Sequence, residues 1–171
     1  EKEKSEKEAE IERLKNVELK RAHTIIEQKN KDITDSINYA KRIQTGILPS
    51  TELMEKCFED HFVLFSPKDI VSGDFYWAVS TTNRTTGHPI SIVAAVDCTG
   101  HGVPGAFMSM LGYTLLNQTI LNPDVINSSD VLNYLNKHLP ENLDSSGQNL
   151  NLQDGMDMSL CIFDHSKKTL Q

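Results

Sequence analysis

The sequence predicts an α+β protein, a mixed helix-and-strand domain behind one long amphipathic helix. Three observations lead there. Residues 1–48 contain no proline and a single glycine, Gly46, and their charges alternate densely, which is the composition of a long solvated helix. Past Pro49 the texture changes to apolar runs of strand length between turn residues, clearest at residues 89–96. Two stripes with the helical period lie between the later strands.

The long helix carries a seam. Alternate steps of three and four from Leu19 reach Ala22, Ile26, Lys29, Ile33, Ser36, Ala40, Ile43 and Ile47, and seven of these nine are apolar. Such a heptad stripe predicts a coiled coil, since an isolated helix of this length is marginal in water. Ile11 and Leu14 fall one residue out of register, which places a slip near Val17. A second copy of the helix is the expected partner, so a homodimer is expected.

Pro49 ends the pattern, because proline disfavours helix at the residue before it. A strand is expected at residues 61–65, stopped by Ser66-Pro67. A second is expected from Ile70-Val71 through residues 75–79, interrupted by Ser72-Gly73-Asp74. Residues 81–88 form a connection, and residues 89–96 make a buried strand ending at Asp97. Pro104 suits a first helical turn, and Ala106, Phe107, Met110, Leu111 and Leu115 continue a stripe to about Leu121, where Asn122-Pro123 breaks it. Ser129 is a candidate cap for a second helix ending near Pro140. Residues 145–149 are loop, residues 156–163 a strand, and residues 164–168 a turn. Leu170-Gln171 begins a partner strand with no room to form, so both ends are expected to be cuts in a longer protein.

Composition excludes some functions. Residues 1–50 hold 11 basic and 10 acidic side chains, whereas residues 51–171 hold 6 and 14, a net of −8. So acidic a domain is a poor nucleic-acid binder. It also offers few cations to an anionic substrate, so phosphate chemistry would need metal ions. Cys57, Cys98 and Cys161 match neither zinc spacing nor a disulfide pattern, which predicts a reducing, cytoplasmic compartment. The charged opening residues predict no secretory signal, and no apolar stretch of these 171 residues is long enough to cross a bilayer.

Two carboxylates stand out by context. Asp74 follows Gly73 and precedes the aromatic run Phe75-Tyr76-Trp77, and Asp97 sits where an apolar strand gives way to Cys98-Thr99-Gly100-His101-Gly102. An aspartate at a strand end beside a glycine turn is a natural oxygen ligand for Mg²⁺ or Mn²⁺, and two on adjacent strands can share a metal pair suited to displacement at phosphorus. Aspartate is equally a common turn residue, and on spacing alone the two readings stand even. His101 is either a proton donor to a leaving alkoxide or a hydrogen-bonding turn residue. With no second group in the sequence to orient it, the structural role is favoured. His23 is a polar residue flanking the seam. Phe107, Met108, Met110 and Leu111 are expected to be core, packing the helix onto a sheet.

The joint pattern KDIVSGDFYW (residues 68–77) and AAVDCTGHGVPGAFMSMLG (residues 94–112), preceded by NYAKRIQTGILPS (residues 38–50), resembles the PPM-type serine/threonine phosphatases of the bacterial SpoIIE branch. The likeness runs from about Lys31 to Phe163. It implies a PPM-type α-β-β-α sandwich, incomplete here, with residues 1–48 as a coiled-coil signalling and dimerisation helix and residues 49–171 as the first part of the phosphatase domain. It implies two Mn²⁺ or Mg²⁺ ions, held by the catalytic aspartates Asp74 and Asp97 and by the backbone carbonyl of Cys98, whose thiol is then no nucleophile. It further implies hydrolysis of phosphoserine or phosphothreonine by metal-activated water. The substrate would be a phosphorylated regulatory protein such as an anti-sigma-factor antagonist, under an upstream sensor that could anchor the parent protein to a membrane.

The family also uses aspartates in later motifs that nothing after Phe163 supplies. Asp154 and Asp157 precede or open the strand before those motifs, and Asp157 is read as a strand-edge residue. The fragment alone is therefore expected to be inactive or weak, and the alternative function is a non-catalytic dimerisation and signalling segment. A loose likeness of SGDF to diguanylate cyclases fails on the order of elements and on DCTGHG.

Overall fold

An uninterrupted helix, α1 (Lys2–Ile47), forms where the sequence offers no proline. The computed structural model describes residues 2–122, 127–143 and 154–171. It divides into two units, Glu1–Tyr39 and Ala40–Gln171. In the first, Ile11, Leu14, Leu19, Ile25, Ile26 and Ile33 are each more than half exposed. Same-face pairs such as Lys7–Glu3 at 2.8 Å and Gln28–Asp32 at 2.8 Å decorate the helix, but each contributes only a few tenths of a kcal/mol. Its apolar side chains are left without a core.

The second unit begins with the last turns of α1. Ser50 stops the chain after Pro49 and caps a short helix, α2 (Thr51–Cys57), by accepting from Leu53 N at 3.3 Å. This helix was not anticipated, since seven residues are too few to show a period. Then come β1 (Phe75–Thr82), β2 (Pro89–Cys98), α3 (Gly102–Leu121), α4 (Ser128–Leu143), β3 (Met156–Asp164) and β4 (Thr169–Leu170). The strands make one antiparallel sheet in the order β1-β2-β3-β4.

Strand alternation sorts the two faces. Phe75 and Trp77 of β1, Ile90, Ile92, Ala94, Val96 and Cys98 of β2, and Ile162 of β3 join Met108, Leu115 and Leu116 of α3 and Val131, Leu135 and Leu139 of α4 in a single core. Trp77 is fully buried, and its indole N–H donates to Asn117 Oδ1 at 2.9 Å. The positions between them, Ala95 and Asp97 on β2 and Asp157 and Ser159 on β3, are exposed on the other face.

Several local expectations are corrected. Residues 61–65 and 70–71 form no strand. Phe62 and Leu64 stand 90% and 88% exposed, while Phe65 packs edge-on to Tyr76 with centroids 5.7 Å apart. Strand propensity without a partner ladder makes no strand. The cap of α4 is Asn127 rather than Ser129: its Oδ1 accepts from Asp130 N, and Asp130 Oδ2 accepts from Asn127 N, both at 3.0 Å. The helix runs past Pro140 to Leu143, because a proline near the end forfeits one hydrogen bond while Leu139 and Leu143 still pack on the core. The final strand does form, with Ile162 and Gln171 exchanging backbone hydrogen bonds at 2.9 Å each. The expected break at Pro123 and the loop at residues 145–149 lie outside the described residues. Among those described, no helix is long and apolar enough to cross a membrane.

Candidate metal centre

Asp74 is the residue before β1 and Asp97 the ninth residue of β2. One step beyond the last ladder pair, Phe75↔Val96, sets the two aspartates opposite each other. The next ladder pairs Asp97 with Asp157 of β3. Three carboxylates therefore stand in a row at the ends of three neighbouring segments of the sheet, on the face opposite α3 and α4. They line one open cleft of about 590 Å³ that also takes in Phe65, Pro67 and Tyr76.

Glycines bring the two aspartate loops together. A Cβ on Gly73 would lie 2.6 Å from the Gly100 carbonyl oxygen and 3.2 Å from that of Cys98, and one on Gly105 would also lie 2.6 Å from Gly100 O. Gly100 itself has φ +88°, where only glycine is at ease. The SGD loop, the DCTG turn and the first turn of α3 thus touch backbone to backbone, and the Cys98 carbonyl faces the SGD loop.

The charges are mutually unfavourable. Burial, then a hydrogen bond and the charge of Asp97, raise the Asp74 carboxyl above its ordinary value. Burial pushes the Cys98 thiol up to about 12, with Asp74 and Asp97 adding to it. That thiol stays protonated and is no nucleophile, so any part played by Cys98 belongs to its main chain.

His101 and Gln44 complete the surroundings. His101 Nδ1 lies 2.8 Å from Asp69 Oδ2, so the orienting group absent from the sequence reading sits in the segment leading to Asp74. Gln44, at the end of α1, is buried and hydrogen-bonded to Ser72, two residues before Asp74. Neither Asp69 nor Gln44 was singled out by sequence. The one available signal was their place inside the motif stretches at residues 68–77 and 38–50.

Superposition on solved structures gives a match to the SiaA-PP2C domain of Pseudomonas aeruginosa, at 31% identity and a TM-score of 0.68 over 82% of this chain and 52% of that one. The chain has a PPM-type phosphatase fold. It spans about half the length of that domain. No family model and no curated protein matches the chain.

Within this PPM-type fold, the donor set suits a divalent cation. Two facing carboxylates, with the Cys98 carbonyl oxygen beside the neighbouring Gly73, are hard oxygen donors of the kind Mg²⁺ and Mn²⁺ take. Burial first, and then Asp97, raises the Asp74 carboxyl, and a cation would offset both the lost hydration and the neighbouring charge. The residues fit such an ion as part of its coordination. Among the described residues no three His, Cys, Asp or Glu side chains converge as a complete set.

Proposed function

We propose that this chain is the metal-binding first part of a metal-dependent protein serine/threonine phosphatase, which hydrolyses phosphoserine or phosphothreonine with metal-activated water. The observation that carries the reading is the facing of Asp74 and Asp97 across the end of β1 and β2, with the Asp74 carboxyl raised by burial and then by Asp97. Asp74, Asp97 and the Cys98 carbonyl would hold Mn²⁺ or Mg²⁺. When bound, two such ions acidify a water and neutralise charge on the phosphoryl oxygens. The acidic cleft itself repels a phosphate, and its open mouth suits a phosphorylated side chain carried on another protein. We assign that protein to the phosphorylated regulators of bacterial partner switching, such as an anti-sigma-factor antagonist.

The exposed apolar stripe on α1 supports a homodimer through this helix. The Gln44–Ser72 hydrogen bonds support transmission of an upstream sensor's signal to the Asp74 loop. Three free cysteines support a reducing, cytoplasmic setting.

One observation favours a second reading, a signalling and dimerisation segment without catalysis: no three metal-binding side chains converge among the described residues. Manganese-dependent release of phosphate from a phosphoserine peptide by the full-length parent separates the two. Asp97→Asn is expected to lower the rate by at least a hundredfold. Equal rates for the parent and the variant would sink the metal-centre assignment.

A further inference from the structure

Resting on the phosphatase reading above, we infer that Asp157 is a third carboxylate for the divalent ion, reaching it through the ion's own water rather than as a direct ligand. Asp157 belongs to neither of the motif stretches that single out Asp74 and Asp97. The ladder between β2 and β3 nevertheless sets it directly opposite Asp97, and it lines the same open cleft as both of them.

The pairing runs against electrostatics. Like charges directly opposite on neighbouring strands, with Cβ atoms about 4.5–5.5 Å apart, destabilise a sheet. A strand free to slip would relieve the contact, but this one is locked. Beyond the last ladder pair, Cys98↔Met156, Thr99 N donates to Gly155 O at 2.9 Å and Gly155 N donates to Thr99 Oγ1 at 3.0 Å. The Thr99 hydroxyl thus extends the pairing past the ladder and fixes the register beside both aspartates. Farther along β3, Ile162 is buried in the core with α3 and α4, and a one-residue slip would turn it to the open face. The Asp157 side chain is exposed and makes no hydrogen bond or ion pair with a described residue. The residues lining the cleft include no Lys, Arg or His. Local rules are broken in this way at functional sites, and the partner that would relieve this pair is a cation.

Direct ligation by all three carboxylates does not fit. Among the described residues no three such side chains converge, and Asp157 stands on the far side of Asp97 from Asp74, one strand spacing of about 4.8 Å beyond it. Mg²⁺ keeps several of its waters when one or two carboxylates bind it, and Mn²⁺ takes the same kind of oxygen donors. The waters of an ion held by Asp74 and Asp97 are the donors that Asp157 can reach. Outer partners of this kind orient the direct ligands, and losing one costs about 10–100-fold in metal affinity. Asp157 is therefore a positioning residue of the metal centre, and Thr99 holds it in place.

The test reads metal binding and melting rather than turnover alone. The full-length parent is titrated with MnCl₂ at low and high salt, and the free ion is followed by electron paramagnetic resonance. Asp157→Asn is expected to weaken Mn²⁺ binding about 10–100-fold, and the loss should persist at high salt. Asp154→Asn removes an exposed carboxylate nearby that does not line this cleft, so its effect should be no more than about threefold and should vanish at high salt. In EDTA, Asp157→Asn should raise the Tm by roughly 1–4 °C, because the charge opposing Asp97 is gone, and Mn²⁺ should reverse the order of the two melts. A wild-type affinity in Asp157→Asn, an equal loss in Asp154→Asn, or a lowered Tm in EDTA would overturn the inference. Asp97→Asn keeps that failure apart from the reading it rests on. If Asp97→Asn abolishes Mn²⁺ binding and phosphate release while Asp157→Asn alters neither, the inference falls and the phosphatase reading stands. Unchanged Mn²⁺ affinity in both variants would overturn both.

Discussion

The side-chain amide of Gln44 pairs with the main chain of Ser72 in both directions. Ser72 N donates to Oε1 at 3.0 Å, and Nε2 donates to Ser72 O at 2.6 Å. The same Nε2 reaches Ser109 Oγ at 2.7 Å, and that hydroxyl in turn donates to Ala106 O at 2.9 Å. One buried amide thus ties the last turn of α1 to the SGD loop and to α3. A shift or rotation of this end of the helix would have to move Ser72, and with it Gly73 and Asp74.

Gln44→Ala should therefore be costly despite being a surface-helix substitution by sequence. Gln44 and Ser72 are each 6% exposed, so the truncation strands a buried N–H and a buried C=O. The expected loss is about 2–3 kcal/mol, read by urea unfolding with an unchanged m-value. A loss below about 0.5 kcal/mol would mean that water replaces the amide and that the tie is weak.

The glycine contacts make a second prediction with an internal control. Gly105→Ala and Gly73→Ala each place a Cβ 2.6 Å from the Gly100 carbonyl oxygen, a backbone atom that cannot swing away. Each should destabilise by about 1–3 kcal/mol and weaken Mn²⁺ binding by separating the aspartate loops. Gly46→Ala meets nothing within 4 Å and lies inside α1, so it should instead stabilise by about 0.5–1 kcal/mol. Thermal melts of the three variants side by side decide the matter.

What the sequence showed depended on how local the cause was. β2 was legible because Ile90, Ile92, Ala94 and Val96 bury one face of a run long enough to show its period, and α3 because its apolar stripe starts at a proline. Asp74 and Asp97 were legible as candidates from glycine neighbours and motif company. The facing of Asp97 and Asp157 was not, because a register between strands 60 residues apart is set by the whole sheet. Asp69 and Gln44 were missed for the same reason, since each acts on a partner 28 or more positions away. The strand expected at residues 61–65 failed in the opposite sense: local propensity was present and the pairing partner was not.

Dimerisation through α1 gives a third prediction. Ile33 and Ile43 are 57% and 42% exposed on the heptad stripe, and a lone helix gains nothing from them. Ile33→Asp with Ile43→Asp should convert a dimer to a monomer in sedimentation equilibrium and lower the helical signal, because the isolated helix is marginal. A dimer that persists would show that α1 is not its seam.

The last prediction concerns the charge pair itself. Burial and Asp97 raise the Asp74 carboxyl above its ordinary value of 3.8. An acid raised in the folded state favours folding when protonated, so this pair's contribution is favourable at low pH and is lost as pH rises through the raised value. In EDTA near pH 7, the two carboxyl groups face each other with no cation between them. Asp97→Asn removes one charge and offers Asp74 an amide donor, which should stabilise the metal-free protein by a few tenths to about 1 kcal/mol, the upper end being roughly 2–4 °C in Tm. The gain should shrink as the pH falls through the raised value of Asp74. Added Mn²⁺ should reverse the order, raising the Tm of the wild type by mass action and that of the variant far less. Melting curves across this pH range, with and without the ion, check both halves. If Asp97→Asn lowers the metal-free Tm at neutral pH, the two carboxyl groups do not oppose each other.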